Sequence, residues 1–119
     1  SDPTMRAANF TRALAVAAVI SSFAAPAVAA EDAEATLRTL YRVALSADMC
    51  GFPMQKRQAE VLGKAIDKAL AETGLDEDKA EALYNAVDTG LEAEGWDKVC
   101  AQKGDWARDY RAVLAAKTE

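Results

Sequence analysis

Histidine is absent from the 119-residue chain. The chain therefore has no imidazole to act as a general base near neutral pH or as the partner of a serine or cysteine nucleophile. The same absence removes the side chain that holds most zinc, haem and copper ions in proteins. No glycine-rich phosphate-binding motif occurs either. We therefore expect neither enzymatic activity nor a bound cofactor.

Cysteine is scarce, and the two that occur, Cys50 and Cys100, are far apart in the sequence. Their spacing is neither the CxxC of thiol redox proteins nor the CxxCH of haem attachment, which excludes both classes. Met49 and Met54 flank Cys50 and would offer soft ligands to Cu(I). Because a Cys50 sulfur in a disulfide is unavailable to copper, packing of both methionines in the core is the favoured interpretation.

Proline (3) and glycine (6) are also scarce, β-branched residues are few, and alanine is the most frequent residue. This composition favours helix over strand. Apolar residues recur three and four positions apart, and no stretch shows the two-residue alternation that indicates a strand. We therefore predict an all-α protein.

The first 30 residues predict a leader that is not part of the fold. Residues 1–4 precede the first methionine and are interpreted as a cloning scar. Residues 5–30 combine two arginines, an apolar stretch too short to span a membrane, and small residues at Ala27 and Ala29. This pattern resembles a bacterial Sec signal peptide; a retained membrane anchor is the less favoured alternative. We expect residues 31–119 to form a single periplasmic or secreted domain.

The apolar pattern of this domain predicts four helices. They cover approximately residues 32–49, 53–73, 76–94 and 105–117, with one or two further turns around Val99. Asp32 is expected to cap the first helix, Pro53 to occupy the first position of the second, and Asp78 to open a capping box in the third. Gly74 is well placed to end the second helix.

Short connections make consecutive helices antiparallel neighbours, so we predict a small up-down-up-down four-helix bundle. In this topology the first and third helices finish at the same end of the bundle, where Cys50 and Cys100 fall. In an oxidising compartment we expect these two residues to form a disulfide. Closing a loop of about 50 residues stabilises a small fold by about 4 kcal/mol.

Positive charge is in short supply. The net charge is −5, and it becomes −6 when Asp2, Arg6 and Arg12 are removed with the leader. A nucleic-acid-binding protein needs clustered cations, and the nearest candidate, Lys56-Arg57, is interpreted as the solvated edge of a helix. We therefore expect neither nucleic acid nor an anionic membrane surface as a partner.

Acidic residues cluster at positions 76–78 and again at Glu92, Glu94 and Asp97. Neither cluster has the DxDxDG spacing that wraps a calcium ion. The first cluster falls where a helix start favours negative charge. We therefore interpret both clusters as solvated charge and predict no metal site.

Aromatic residues supply the best indication of a site. Phe52, Trp96 and Trp106 fall at turns near the predicted disulfide, and Tyr110 follows one turn into the last helix. Such residues mostly pack in the core of a small domain, and the alternative is that they form a partner surface. Our leading hypothesis is an exported binding module that docks a protein or peptide through this candidate partner surface. Association with a second copy is left open.

The size of the domain, its export and helical content, and a second cysteine just before the last helix are together similar to the small acid-activated periplasmic chaperones. The local likeness is confined to residues 99–103, Val-Cys-Ala-Gln-Lys. The resemblance implies an alternative function, a chaperone that loosens at low pH and holds unfolded clients. Protonating 18 carboxylates would leave about 12 mutually repelling cations, which gives such loosening a physical route.

Overall fold

A computed structural model describes residues 29–118, which form five helices and no strand. The helices are α1 over residues 29–49, α2 (Lys56–Thr73), α3 (Glu77–Glu94), α4 (Trp96–Val99) and α5 (Asp105–Thr118). The all-α prediction is confirmed, and α4 supplies the predicted extra turn around Val99. The predicted cloning scar and residues 5–28 of the predicted signal peptide lie outside the described residues.

The first two helices begin elsewhere than predicted. Asp32 does not cap α1, because the helix already includes Ala29 and Ala30, and alanine is the strongest helix former. Pro53 does not open α2, which begins three residues later with Gln55 as its N-cap. The Gln55 backbone N–H donates to Gln58 Oε1 at 2.8 Å, so a glutamine pair stabilises this helix start.

The third helix also uses a different cap. Asp76 lies at the N-cap position, and its Oδ1 accepts a hydrogen bond from the Lys79 backbone N–H at 2.8 Å. Asp78 lies inside the helix, so the prediction that it opens a capping box is wrong. As predicted, α2 ends at Gly74, which has a φ of 71° that side chains with a Cβ rarely adopt.

Contacts between α1 and α3 show that the two helices run in the same direction. The Tyr41 and Tyr84 rings meet edge to face with their centroids 5.2 Å apart. Further along both helices, Leu45 packs with Leu91. Because the contacts advance together along both helices, α1 and α3 are parallel, as the predicted topology requires of the first and third helices.

Helices α2 and α5 run opposite to α1. Near the end of α1, the Tyr110 hydroxyl of α5 donates to the Pro53 carbonyl oxygen at 3.2 Å, just before α2 begins. At the other end of the bundle, Thr36 of α1 lines the same depression as Glu72 of α2 and Lys117 of α5. The four long helices therefore form the predicted up-down-up-down bundle, in which α2 packs on α5.

Helix α1 is the most buried of the described helices. Its buried residues cover most of its circumference rather than one stripe: Ala33, Leu37, Leu40, Tyr41, Val43, Leu45 and Ser46. The main core joins this helix to Leu62 and Ala69 of α2, Leu83 of α3, and Leu114 of α5. By contrast, only Leu83 and Leu91 are buried in α3. The bundle is therefore organised around α1.

The predicted disulfide is present. Cys50 and Cys100 are bonded, with their Cα atoms 5.1 Å apart. A second cluster of Leu45, Leu91 and Val99 lies beside the link, and Cys50 packs against it. We call this end of the bundle, where α1 and α3 finish and α5 begins, the disulfide pole. The disulfide joins the ends of α1 and α4 covalently at this pole.

Reducing the disulfide, or replacing both cysteines with alanine, should lower the free energy of unfolding by about 4 kcal/mol, because the unfolded chain regains the entropy of an open loop. The closed loop has a sequence separation of 50. Urea denaturation of the oxidised, reduced and Cys50→Ala/Cys100→Ala proteins measures the loss. Reductant should not affect the double variant, and a loss below about 1 kcal/mol would contradict the proposed stapling.

Candidate functional site

A cleft of about 310 Å³ opens at the disulfide pole between α1, α3, α4 and α5. We call it the pole cleft. Its lining combines charged side chains, one indole and short side chains: Arg42, Glu94, Lys98, Val99, Ala101, Gly104, Asp105 and Trp106. These groups can form ion pairs, hydrogen bonds and aromatic contacts with a ligand.

The pole cleft is built on an ion pair that joins α1 to α3. Arg42 Nη1 lies 2.6 Å from Glu94 Oε2, and Arg42 Nη2 lies 3.1 Å from Glu94 Oε1. This two-bond geometry is the strongest that arginine forms with a carboxylate. The other ion pairs of the described part lie within single helices, among Glu34 and Arg38 of α1 and the start of α5. Of the ion pairs among the described residues, only Arg42–Glu94 joins two different helices.

The same guanidinium also covers the indole of Trp106. Arg42 Cζ lies 4.4 Å from the centroid of the ring, a cation–π contact. Arg42 Nε is buried and has no hydrogen-bond partner among the described residues, since both bonds to Glu94 use the Nη atoms. Carboxylate on one side and ring on the other hold the Arg42 side chain in one orientation.

The orientation of the Trp106 ring is in turn fixed by a hydrogen bond to a buried hydroxyl group of α1. Its Nε1–H donates to Ser46 Oγ at 2.7 Å. Ser46 is fully buried, so without this bond its hydroxyl would lose hydrogen bonding to water with no replacement. Glu94, Arg42, Trp106 and Ser46 therefore form one continuous chain of contacts from the solvent edge of α3 to the interior of α1.

The electrostatics of the cleft follow from these contacts. The hydrogen bonds from Arg42 lower the pKa of Glu94 below its ordinary value, and the positive charges of Arg42 and Lys98 act in the same direction. Partial burial of the carboxyl group opposes them. The lowered pKa favours the anionic form of Glu94, which is the form that pairs with Arg42.

Two residues of the candidate partner surface lie in the main core instead. Phe52 is 5% exposed and Tyr110 is 1% exposed, and their rings meet edge to face with centroids 5.0 Å apart. Burial raises the pKa of the Tyr110 hydroxyl, which stays protonated and donates to Pro53. Burial therefore removes both side chains from the candidate partner surface, and the packing interpretation describes them.

Trp96 and Trp106 are the two remaining members of that surface. Both are half-buried and pack against the Leu45–Leu91–Val99 cluster, so each keeps part of its ring at the surface of the disulfide pole. Only Trp106 lines the pole cleft. That either indole contacts a partner stays a prediction.

The methionines that flank Cys50 differ in environment. Met54 is half-buried and packs against the main core, in agreement with the packing interpretation. Met49 is 55% exposed, so for this residue that interpretation is wrong. Met49 is the last residue of α1 and lies beyond the core that the helix contacts.

Sequence reasoning missed Arg42 and Ser46. One signal for Arg42 was available, because a charged residue between Tyr41 and Val43 interrupts the most apolar part of α1 and needs a partner. Its partner, Glu94, was interpreted as solvated charge in an acidic cluster, and the ion pair corrects that interpretation. Among residues 29–118 no group of potential ligands is arranged to hold a metal ion.

Comparison of the chain with protein-family models, with curated proteins and with solved structures finds no match. Within residues 29–118, no helix combines the length and the apolar character needed to cross a bilayer. The geometry of the pole cleft and the patterns of the sequence are accordingly the basis on which a function is proposed.

Replacing Glu94 with glutamine should lower the free energy of unfolding at neutral pH by no more than about 1 kcal/mol, because the pair is partly exposed to water. The folded-state pKa of Glu94 lies below its ordinary value of 4.5. Its stabilising contribution is therefore complete above that value and is lost as the pH falls through the lowered pKa. Wild type and Glu94→Gln should thus differ at neutral pH and converge in acid.

This convergence is measured by urea denaturation at a series of pH values, with tryptophan fluorescence as the probe of unfolding. Glu92→Gln is the matched control, because Glu92 is exposed on the same turn and forms no ion pair among the described residues. If Glu92→Gln and Glu94→Gln show the same dependence on pH, the Arg42–Glu94 pair does not contribute as described.

Proposed function

We propose that the protein is an exported, non-catalytic helical module that docks a protein or peptide partner at the pole cleft. The single observation that carries the proposal is the fixed Arg42–Trp106 pair, which is partly open to solvent at the rim of that cleft. The leader-like residues 5–30 and the disulfide support a periplasmic or secreted location.

Arginine and tryptophan are the residue types that most often dominate the energetics of a protein interface. Here Arg42 is held by Glu94 and Trp106, and Trp106 is held by Ser46. Because these side chains are already ordered, a partner that contacts them loses little further conformational entropy on binding. A pre-ordered aromatic and cationic rim favours recognition of a partner.

The size and charge of the pole cleft favour a segment of polypeptide over a small metabolite. A volume of about 310 Å³ is at the lower end of small-molecule sites, which span roughly 300–1,000 Å³. It would hold one or two side chains of a larger partner. The rim carries Lys98 and Asp105 as well as Trp106, so it offers a partner both charge signs beside an apolar face. The acidic net charge disfavours nucleic acid and anionic lipid.

The test is capture of a partner from a periplasmic extract on the immobilised, oxidised protein, followed by a titration of the recovered partner. Lys98→Ala and Trp106→Phe should each weaken binding, by roughly tenfold for a residue at the centre of an interface. Lys64→Ala is the matched control, because Lys64 is an exposed lysine of α2 outside the cleft. No specific capture, or equal affinity for the Lys98 and Lys64 variants, would refute docking at the pole cleft.

An acid-activated chaperone is the second candidate function, and the Arg42–Glu94 pair is the observation that favours it. Protonating Glu94 removes the described ionic link between α1 and α3 and releases the guanidinium from its carboxylate. Helix α3 has only two buried residues, so little apolar packing resists its separation from α1. The disulfide would still hold the end of α1 next to the end of α4 in the loosened protein.

A chaperone of this kind should suppress the aggregation of an acid-sensitive client at low pH but not at neutral pH, as measured by light scattering. Glu94→Gln mimics the protonated carboxyl group and should extend the suppression to a higher pH. Glu92→Gln serves again as the control. Unsuppressed aggregation at low pH, with the helical circular dichroism of the protein retained, would remove this candidate.

A further inference from the structure

Met49 is the most exposed sulfur-containing residue that the structure describes. It is 55% exposed, and the only other large apolar residue that is exposed among the described residues is Tyr84, at 37%. We propose that Met49 is a modification site, at which peroxides oxidise the thioether to methionine sulfoxide while the fold stays intact. The proposal stands independently of partner docking.

The chain contains no competing thiol. Its only two cysteines are joined in the disulfide, so neither offers the thiolate that peroxides attack fastest. Thioethers are then the sulfur groups most easily oxidised. Met5 lies outside the described residues, and Met54 is half-buried against the main core. Within the described part, a peroxide in solution therefore reaches Met49 first.

The placement of Met49 lets the product be tolerated. A sulfoxide is polar, and its oxygen accepts hydrogen bonds, which solvent supplies at an exposed position. Met54 packs against the main core, where an unpaired polar oxygen on its sulfur would cost free energy. Oxidation of Met49 should thus leave the disulfide and the core unchanged, whereas oxidation of Met54 should destabilise the fold.

The reaction is a balanced two-electron transfer of one oxygen atom. A lone pair on the Met49 sulfur attacks one oxygen of hydrogen peroxide, an S–O bond forms and the O–O bond breaks. The second peroxide oxygen leaves as water and keeps both hydrogens. The sulfur is oxidised, the peroxide is reduced, and no further reactant is needed. Each Met49 consumes one peroxide.

The modified residue would lie at the disulfide pole, outside the residues that line the pole cleft. Met49 follows Arg42 by seven positions on α1, which places the two on the same side of the helix and about 10 Å apart along its axis. Oxidation therefore changes an apolar side chain into a polar one on the same side of α1 as Arg42. The change would be reversible where a methionine sulfoxide reductase is present.

The test is oxidation of the folded, disulfide-bonded full chain by hydrogen peroxide, with timed quenching and mass spectrometry. Trypsin leaves Met49 and Met54 on one peptide, residues 43–56, so fragmentation between the two methionines is needed to assign the added oxygen. Met49 should react within about threefold of its rate in urea-denatured protein, and Met54 at least about tenfold more slowly than Met49.

Two variants complete the design. Met49→Leu should remove the fast reaction, and Met54→Leu should retain it. Wild-type protein oxidised at Met49 alone should unfold at the same urea concentration as the unoxidised protein. Met49→Leu protein, treated with enough peroxide to oxidise Met54, should unfold at a lower urea concentration. Equal rates for the two methionines in the folded protein, or a lower urea midpoint once Met49 alone is oxidised, would overturn the proposal.

Discussion

The covalent link between Cys50 and Cys100 holds the end of α1 against the segment that follows α4. Everything that distinguishes this end of the bundle lies next to it: the Leu45–Leu91–Val99 cluster, the two half-buried indoles and the pole cleft. A domain of this size buries a modest core, so a restraint of about 4 kcal/mol is a large share of its stability. Without the link, α4 would be held mainly by the small Leu45–Leu91–Val99 cluster.

At that restrained end, one chain of contacts connects the buried core to the surface proposed for docking. Ser46 is buried in α1 and accepts a hydrogen bond from Trp106, Trp106 contacts the Arg42 guanidinium, and Glu94 accepts two hydrogen bonds from that guanidinium. Ser46 is buried, Trp106 and Arg42 are half-buried, and Glu94 is exposed. The buried interior thus ends in ordered polar and aromatic groups at the surface, an arrangement that would lower the entropic cost of the proposed docking.

The patterns of the sequence predicted where the helices lie better than they predicted which sides of the helices are buried. The three- and four-residue spacing located every long helix, but it did not indicate that buried residues, Val43 and Ser46 among them, cover most of the circumference of α1. An amphipathic pattern describes a helix with one side in water, whereas α1 is contacted from most directions. Phe52 and Tyr110 were open to two interpretations, packing in the core or forming a partner surface, and both residues are buried, as the favoured packing interpretation has it.

The sequence by itself determined that the protein is helical, where the long helices lie, and which cysteines pair, because helix propensity and apolar spacing are local and an antiparallel order brings helix ends together. Only the tertiary structure decided that Arg42 meets Glu94 and that Ser46 meets Trp106. Those partners are 52 and 60 positions apart, and their contact depends on how each helix is rotated and tilted in the bundle. Rotation and tilt come from the packing of all the side chains together, which no local pattern records.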